Sequence, residues 1–389
     1  MRDVFLTGAT GFLGGELAVA LSKINSIDHV YCLVRDKAGE RAADRLESVF
    51  RFHGDDYDSN RIQPVSGDLN DPLLDERLKS NADIRGVDVI IHAGANTSFL
   101  PQKYSAVLGA NLEGTIRLAK WAKTLRSLET FAYIGTATIA GAAERVRRRM
   151  IFEHESPDPA ATHIVGYTES KLKAELKLRE VFGEDQLLVI RPSIILGDTR
   201  PVVPRSFDIA WIIVAVQQLR MFFSNPDAAF DIVPVDYAAE AILKLLICRE
   251  RRHNTYHVSS GTAATTAGKI IRSLGIGMEQ DPGLVFCSAA DLELLKDWLR
   301  GERLKPEPRL ARYSDHLNYI ENYIGKKKTR LLLAGLGPYW QFINLDQRFD
   351  NQRLLADTSI SIPEPAHQYM QRVARFLDAF DPCEMAVNP

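Results

Sequence analysis

Tyr167 and Lys171 stand four positions apart in the helix-prone run "GYTESKLKAE" of this 389-residue chain. On a helix that spacing puts the two side chains next to each other. A phenol with its ordinary pKa of about 10 is a poor acid–base catalyst at neutral pH. An ammonium one turn away favours the phenolate and draws that pKa down, so the pair reads as a proton donor tuned by its neighbour. A hydroxyl partner is expected at the end of the preceding strand. The run "FAYIGTATIAG" supplies Thr136, with Thr138 as the alternative, to hold a carbonyl oxygen within reach of Tyr167.

Such a pair needs something to reduce or oxidise its carbonyl, and the first residues provide for it. "TGATGFLGG" places Gly8, Gly11 and Gly14 between an apolar strand and a helix. The three suit a tight turn, close backbone approach to a pyrophosphate, and close helix–strand packing. The helix start would present free N–H groups to the phosphates, so Thr7, Gly8, Thr10, Gly11, Phe12, Leu13 and Gly14 are expected to hold a dinucleotide. At the end of the second strand, "YCLVRDK" puts Arg35 before Asp36. An arginine there accommodates a 2′-phosphate and predicts NADPH; the alternative has Asp36 taking free ribose hydroxyls. Further contacts are expected from Asp68 and Leu69 of "GDL", from Ala93, Gly94 and Ala95 of "HAGA", and from Pro192, Ser193 and Ile194 of "RPSIILGD". Lys171 can also bond the nicotinamide ribose, and the nicotinamide's positive charge would help lower the Tyr167 pKa.

These residues must be carried by a scaffold, and the chain describes one. Apolar runs "DVFLTG", "HVYCLVR", "IQPVSGD", "VDVIIHAGA", "TFAYIGT" and "QLLVIRPS" alternate with helical stretches over the first 200 residues. Strands apolar throughout, separated by helices, predict a Rossmann-type α/β fold with a doubly wound parallel sheet. "NTYHVSSG" adds a later strand. We expect a cofactor domain at 1–199 and 231–262, and a smaller, mostly helical substrate domain at 200–230 and 263–389. The proline-punctuated "TRPVVPRSF" would connect them, and the basic "KKKTR" falls in the helical tail. The segment Phe207–Phe223, "FDIAWIIVAVQQLRMFF", is too short and too polar to span a bilayer; it suits either a core helix or an acyl-pocket wall.

A composition of 46% hydrophobic and 25% charged residues is that of a globular protein, and a net charge of −2 argues against nucleic-acid binding. Four scattered cysteines without a CxxC pair suit buried thiols in a reducing compartment better than disulfides or zinc. The chain enters its first strand at once, without a signal-peptide core, so a cytoplasmic protein is expected.

The three-residue step from Gly8 to Gly11 is the pattern of extended short-chain dehydrogenases/reductases. Beyond it, "VYCLVRDKAGERAADRL", "NLEGT", "GTATIAG", "GYTESKLKAE", "RPSIILGD" and "DIVPVDYAAEAI" resemble the thioester-reductase and fatty acyl-CoA reductase branch over residues 1 to about 260. The tail from Pro338 to Leu377 is similar to the C-terminal region of fatty acyl-CoA reductases. The resemblance implies NADPH-dependent reduction of an acyl thioester, from acyl-CoA or an acyl carrier protein, to an aldehyde and on to an alcohol if a second hydride follows. No adenylation or carrier segment precedes the first strand, so the activated acyl group is expected in trans. The basic loop "ERVRRRM" either meets CoA or carrier phosphates or is simply solvated. Alternatives on the same fold are a nucleotide-sugar epimerase or dehydratase, a hydroxysteroid-like alcohol dehydrogenase, and a non-catalytic cofactor sensor.

Overall fold

The computed structural model describes residues 2–37, 39–200, 207–275, 281–301 and 308–377. Seven strands form one parallel sheet: β1 Arg2–Thr7, β2 Ile27–Val34, β3 Ile62–Ser66, β4 Val89–His92, β5 Thr130–Ile134, β6 Leu187–Pro192 and β7 Thr255–Val258. Their order is β7-β6-β5-β4-β1-β2-β3, so the sheet winds outward in both directions from β1 and β4. All seven coincide with apolar runs of the sequence.

Alternation of side chains along each strand explains why those runs are apolar throughout. In β1, Val4 and Leu6 enter the core on one face while Phe5 enters the core on the other. In β5, Ala132 and Ile134 divide from Phe131 and Tyr133 in the same way. The helices α1 (Phe12–Ser22) and α2 (Ala42–His53) cover the first face. The helix α3 (Gly166–Val181) contributes Ala174 and Leu178 to the second. Register aligns the carboxyl ends: Thr7 pairs with His92 and with Leu33, and His92 with Tyr133. The residues expected to do chemistry therefore converge on one edge.

A third core, running from Leu196 to Met370, gathers the later helices beside that edge. It includes α4 (Phe207–Leu219) and α5 (Lys326–Ile343). The "KKKTR" run is the first turn of α5, an unfavourable place for cations on helix-dipole grounds. Lys326 is held there by Glu321 at 3.0 Å and by the face of Trp298 at 4.2 Å. Residues Leu354 and Ile360 return to the sheet core, and Tyr256 donates to Asp357 at 2.7 Å. Most of the predicted "TRPVVPRSF" connection lies outside the described residues. Cys32 and Cys287 are buried and Cys248 is partly exposed, all three as free thiols; Cys383 lies outside the described residues. Among the described residues, no helix is long and apolar enough to cross a membrane.

Candidate active site

A cavity of about 720 Å³ opens at the carboxyl edge of the sheet and continues under the third core. Apart from Asp36, every cofactor and catalytic candidate from the sequence lines it, from Thr7 and the glycine loop to Ile194. Backbone geometry explains the glycines. Gly8 has φ +81°, and a Cβ there would stand 2.7 Å from the Gly94 nitrogen. A Cβ on Gly14 would lie 2.0 Å from the Gly8 carbonyl oxygen, which would push α1 off the loop. The α1 start has no side-chain cap, so its free N–H groups remain for an anion, and Phe12, Leu13 and Gly14 face the cavity. The loop thus fits the pyrophosphate of a dinucleotide.

At the far end of the cavity lie Arg35 and, unforeseen in the sequence, Arg45. The Arg45 guanidinium donates to the main-chain carbonyl oxygen of Arg35, which brings the Arg45 cation to the end of β2. Asp36 is already taken up by other partners, with the Arg45 charge also acting on it. Its carboxylate accepts from the Ser66 hydroxyl at 2.5 Å and the Ala42 N–H at 2.8 Å, which holds its pKa below the usual value and commits it to the start of α2.

The catalytic candidates meet at the other end. Thr136, two residues beyond β5, is extended and shares a 2.8 Å hydroxyl contact with Thr138; both line the cavity. Tyr167 and Lys171 occupy successive turns of α3. The Lys171 ammonium is buried, donates to the Ile134 carbonyl oxygen at 2.7 Å and lies 5.0 Å from the Tyr133 ring centroid. Tyr133 in turn donates from its hydroxyl to the Lys171 carbonyl oxygen at 3.2 Å. Helix and strand are therefore locked together at the point where the two functional groups must meet.

The electrostatics differ from the expectation. Burial pushes the Tyr167 phenol up to about 12 rather than down. Burial also lowers the Lys171 ammonium to about 7, so its own charge is disfavoured. In both groups the cause is the cost of taking the charge from water.

One supporting residue was missed altogether. Asn111 sits on a π-helical turn, Gly109–Glu113. Its amide accepts from Asn96 N–H at 2.7 Å and donates to the Asn96 carbonyl and the Ser170 hydroxyl, both at 2.9 Å. It ties the loop after β4 to α3 between Tyr167 and Lys171. A poor helix former inside the helical pattern of "NLEGT" was the available signal. Nearby, buried His92 bridges Thr7 (2.7 Å) and Thr115 (2.8 Å), and burial lowers its pKa to about 3, leaving it neutral.

The acyl-wall candidate moves. Among the described side chains of Phe207–Phe223, from Ile212 onward, most pack in the third core and none lines the cavity. Gly335, Tyr339 and Phe342 of α5 line it instead. The "ERVRRRM" loop also stays outside: Arg145 pairs with Asp158, Arg147 with Glu144, and Arg149 with Glu155.

Known proteins resemble this chain in sequence and fold. A linear gramicidin synthase of Brevibacillus parabrevis is 28% identical over 85% of this chain, which spans 7% of that protein. A carboxylic acid reductase of Segniliparus rugosus is 30% identical over 66% of the chain, which spans 24% of that enzyme. The terminal R domain of the myxalamid PKS-NRPS pathway superposes with a TM-score of 0.72 at 23% identity, covering 98% of this chain and 93% of that one, and so shares the fold. The glycine loop, the Thr136 turn and the Tyr167–Lys171 helix all fall within residues 6–242, the stretch whose match makes the chain a member of the Male sterility protein family.

Proposed function

We propose that the chain reduces an acyl thioester, presented by CoA or by a carrier protein, to an aldehyde with NADPH. One observation carries the reading: a single cavity joins the glycine loop and an arginine pair at one end to Thr136, Tyr167 and Lys171 at the other, then continues past them into an apolar compartment. Relatives named as a carboxylic acid reductase and a linear gramicidin synthase favour an activated acyl group over a sugar nucleotide. NADPH, when bound, supplies the hydride to the thioester carbonyl carbon. Thr136 and Tyr167 donate hydrogen bonds to the carbonyl oxygen, and Tyr167 gives its proton as that oxygen becomes anionic. The resulting hemithioacetal loses its C–S bond, freeing thiol and aldehyde. Lys171 spends one of its three donors on Ile134 and keeps the others for ribose hydroxyls. Free thiols at Cys32, Cys248 and Cys287 favour a cytoplasmic setting for this chemistry.

The test is NADPH oxidation against acyl-CoAs and acyl-loaded carrier protein, with free thiol followed in parallel. Thiol release should match NADPH consumed in the first reduction. Release at equal rate without NADPH means hydrolysis and ends the reading; consumption only with sugar nucleotides or free alcohol–carbonyl pairs selects the alternative.

Commitment of Asp36 to Ser66 and Ala42 supports the 2′-phosphate over the free hydroxyl. Arg35→Ala should weaken NADPH binding by about 1.5–3 kcal/mol and leave NADH binding nearly unchanged. Arg45→Ala should act in the same direction. Equal NADPH affinity in parent and Arg35→Ala, measured by fluorescence titration, would refute the assignment.

A further inference from the structure

Resting on the thioester-reductase reading, we propose that the acyl compartment selects acyl groups carrying an aromatic or conjugated planar system next to the carbonyl, and that Phe99, Tyr339 and Phe342 make that choice. The wall starts at the reacting end of the cavity: the Phe99 ring centroid is 6.0 Å from that of Tyr167, at an interplanar angle of 32°. Phe99 also stacks on Tyr339 at 4.8 Å and 26°, and Phe342 leans in at 5.5 Å and 43°. All four rings line the cavity. The other three rings lie 26–43° from the plane of Phe99, and an aromatic wall of this kind matches a planar conjugated acyl group better than a saturated chain.

The helix that supplies two of these rings is built against its own propensity. The run "LAGLGPYW" puts two glycines and Pro338 in the interior of α5, where each is unfavourable. Leu332, Leu336, Trp340 and Ile343 hold the helix to the third core. Gly335, Tyr339 and Phe342, spaced four and three residues apart, share the face turned to the cavity. Pro338 brings no N–H, so the carbonyl of Ala334 loses its helical donor beside the place where Gly335 leaves a side chain out. Of these three breaks only Gly335 lines the cavity, and there the missing side chain leaves room beside the rings.

The experiment measures kcat/KM of the full chain with NADPH on cinnamoyl- and octanoyl-pantetheine, whose arm is common to CoA and carrier proteins. The parent should prefer cinnamoyl by on the order of tenfold. Phe99→Leu and Phe342→Leu should each bring the ratio down to about threefold or less, and Gly335→Leu should depress cinnamoyl reduction far more than acetyl-pantetheine reduction. A ratio within one preparation is independent of how much of it is folded. Equal or better use of octanoyl by the parent overturns the proposal, as does a ratio unmoved by both leucine variants, while thioester reduction itself still stands. If the parent reduces none of the three thioesters, the underlying reading has failed and this one falls with it.

Discussion

Tyr167→Phe is expected to bind NADPH as the parent does while turnover falls by about two to four orders of magnitude. The substitution keeps the ring and its contact with Phe99. It removes only the hydroxyl, the proton source at the carbonyl. Because burial holds that phenol at about 12, it stays protonated throughout the neutral range, the state a reduction requires. Reduction should therefore not decline through tyrosine ionisation as pH rises from 6 to 9. Oxidation of an alcohol, which needs the phenolate, should be slow over the same range. Thr136→Val, which keeps the extended backbone and deletes the second donor, should cost on the order of a hundredfold in kcat. Stopped-flow NADPH oxidation with a separate cofactor titration distinguishes these outcomes. A Tyr167→Phe protein that turns over within threefold of the parent would remove Tyr167 from the mechanism.

The scaffold was readable because the sheet is covered on both faces. Runs such as "VDVIIHAGA" are apolar at consecutive positions, a pattern few other local structures require. The cofactor loop was readable because its glycines answer to backbone constraints a few residues away: Gly14 against Gly8, Gly8 against Gly94. What failed depended on distant partners. Sequence left Phe207–Phe223 open between core and acyl wall; from Ile212 onward it packs in the third core, and nothing local distinguishes it from α5, whose Tyr339 and Phe342 reach the site. Arg45 lies ten residues from Arg35, and only the turn into α2 brings the two together. The direction of the Tyr167 shift was misjudged because spacing reveals a neighbour's charge but not how much water both groups have lost. Asn111 escaped for a related reason. Its three hydrogen bonds go to Asn96 and Ser170, each remote in sequence.

That loss of water has its largest consequence at Lys171, where function and stability oppose each other. The ammonium is only 3% exposed, has a single hydrogen bond to Ile134 and is brought down to about 7 from a value near 10.5 in the unfolded chain. Between those values the unfolded chain binds the proton and the folded protein does not, so this residue's contribution to stability rises with pH across that window. Below about pH 7 both states are charged, and the full penalty of burying the charge applies, on the order of several kcal/mol. Lys171→Met fills the same space without charge. It should raise the thermal midpoint at pH 6.5, and its advantage over the parent should shrink steadily as pH rises towards 10. The same variant should lose NADPH affinity and most of its turnover, since the ribose-side donors go with the ammonium. Thermal midpoints of both proteins from pH 6 to 10 decide the matter. A methionine variant less stable than the parent at pH 6.5, or an advantage that grows with pH, would mean that the Ile134 hydrogen bond and the Tyr133 ring more than offset the lysine's desolvation.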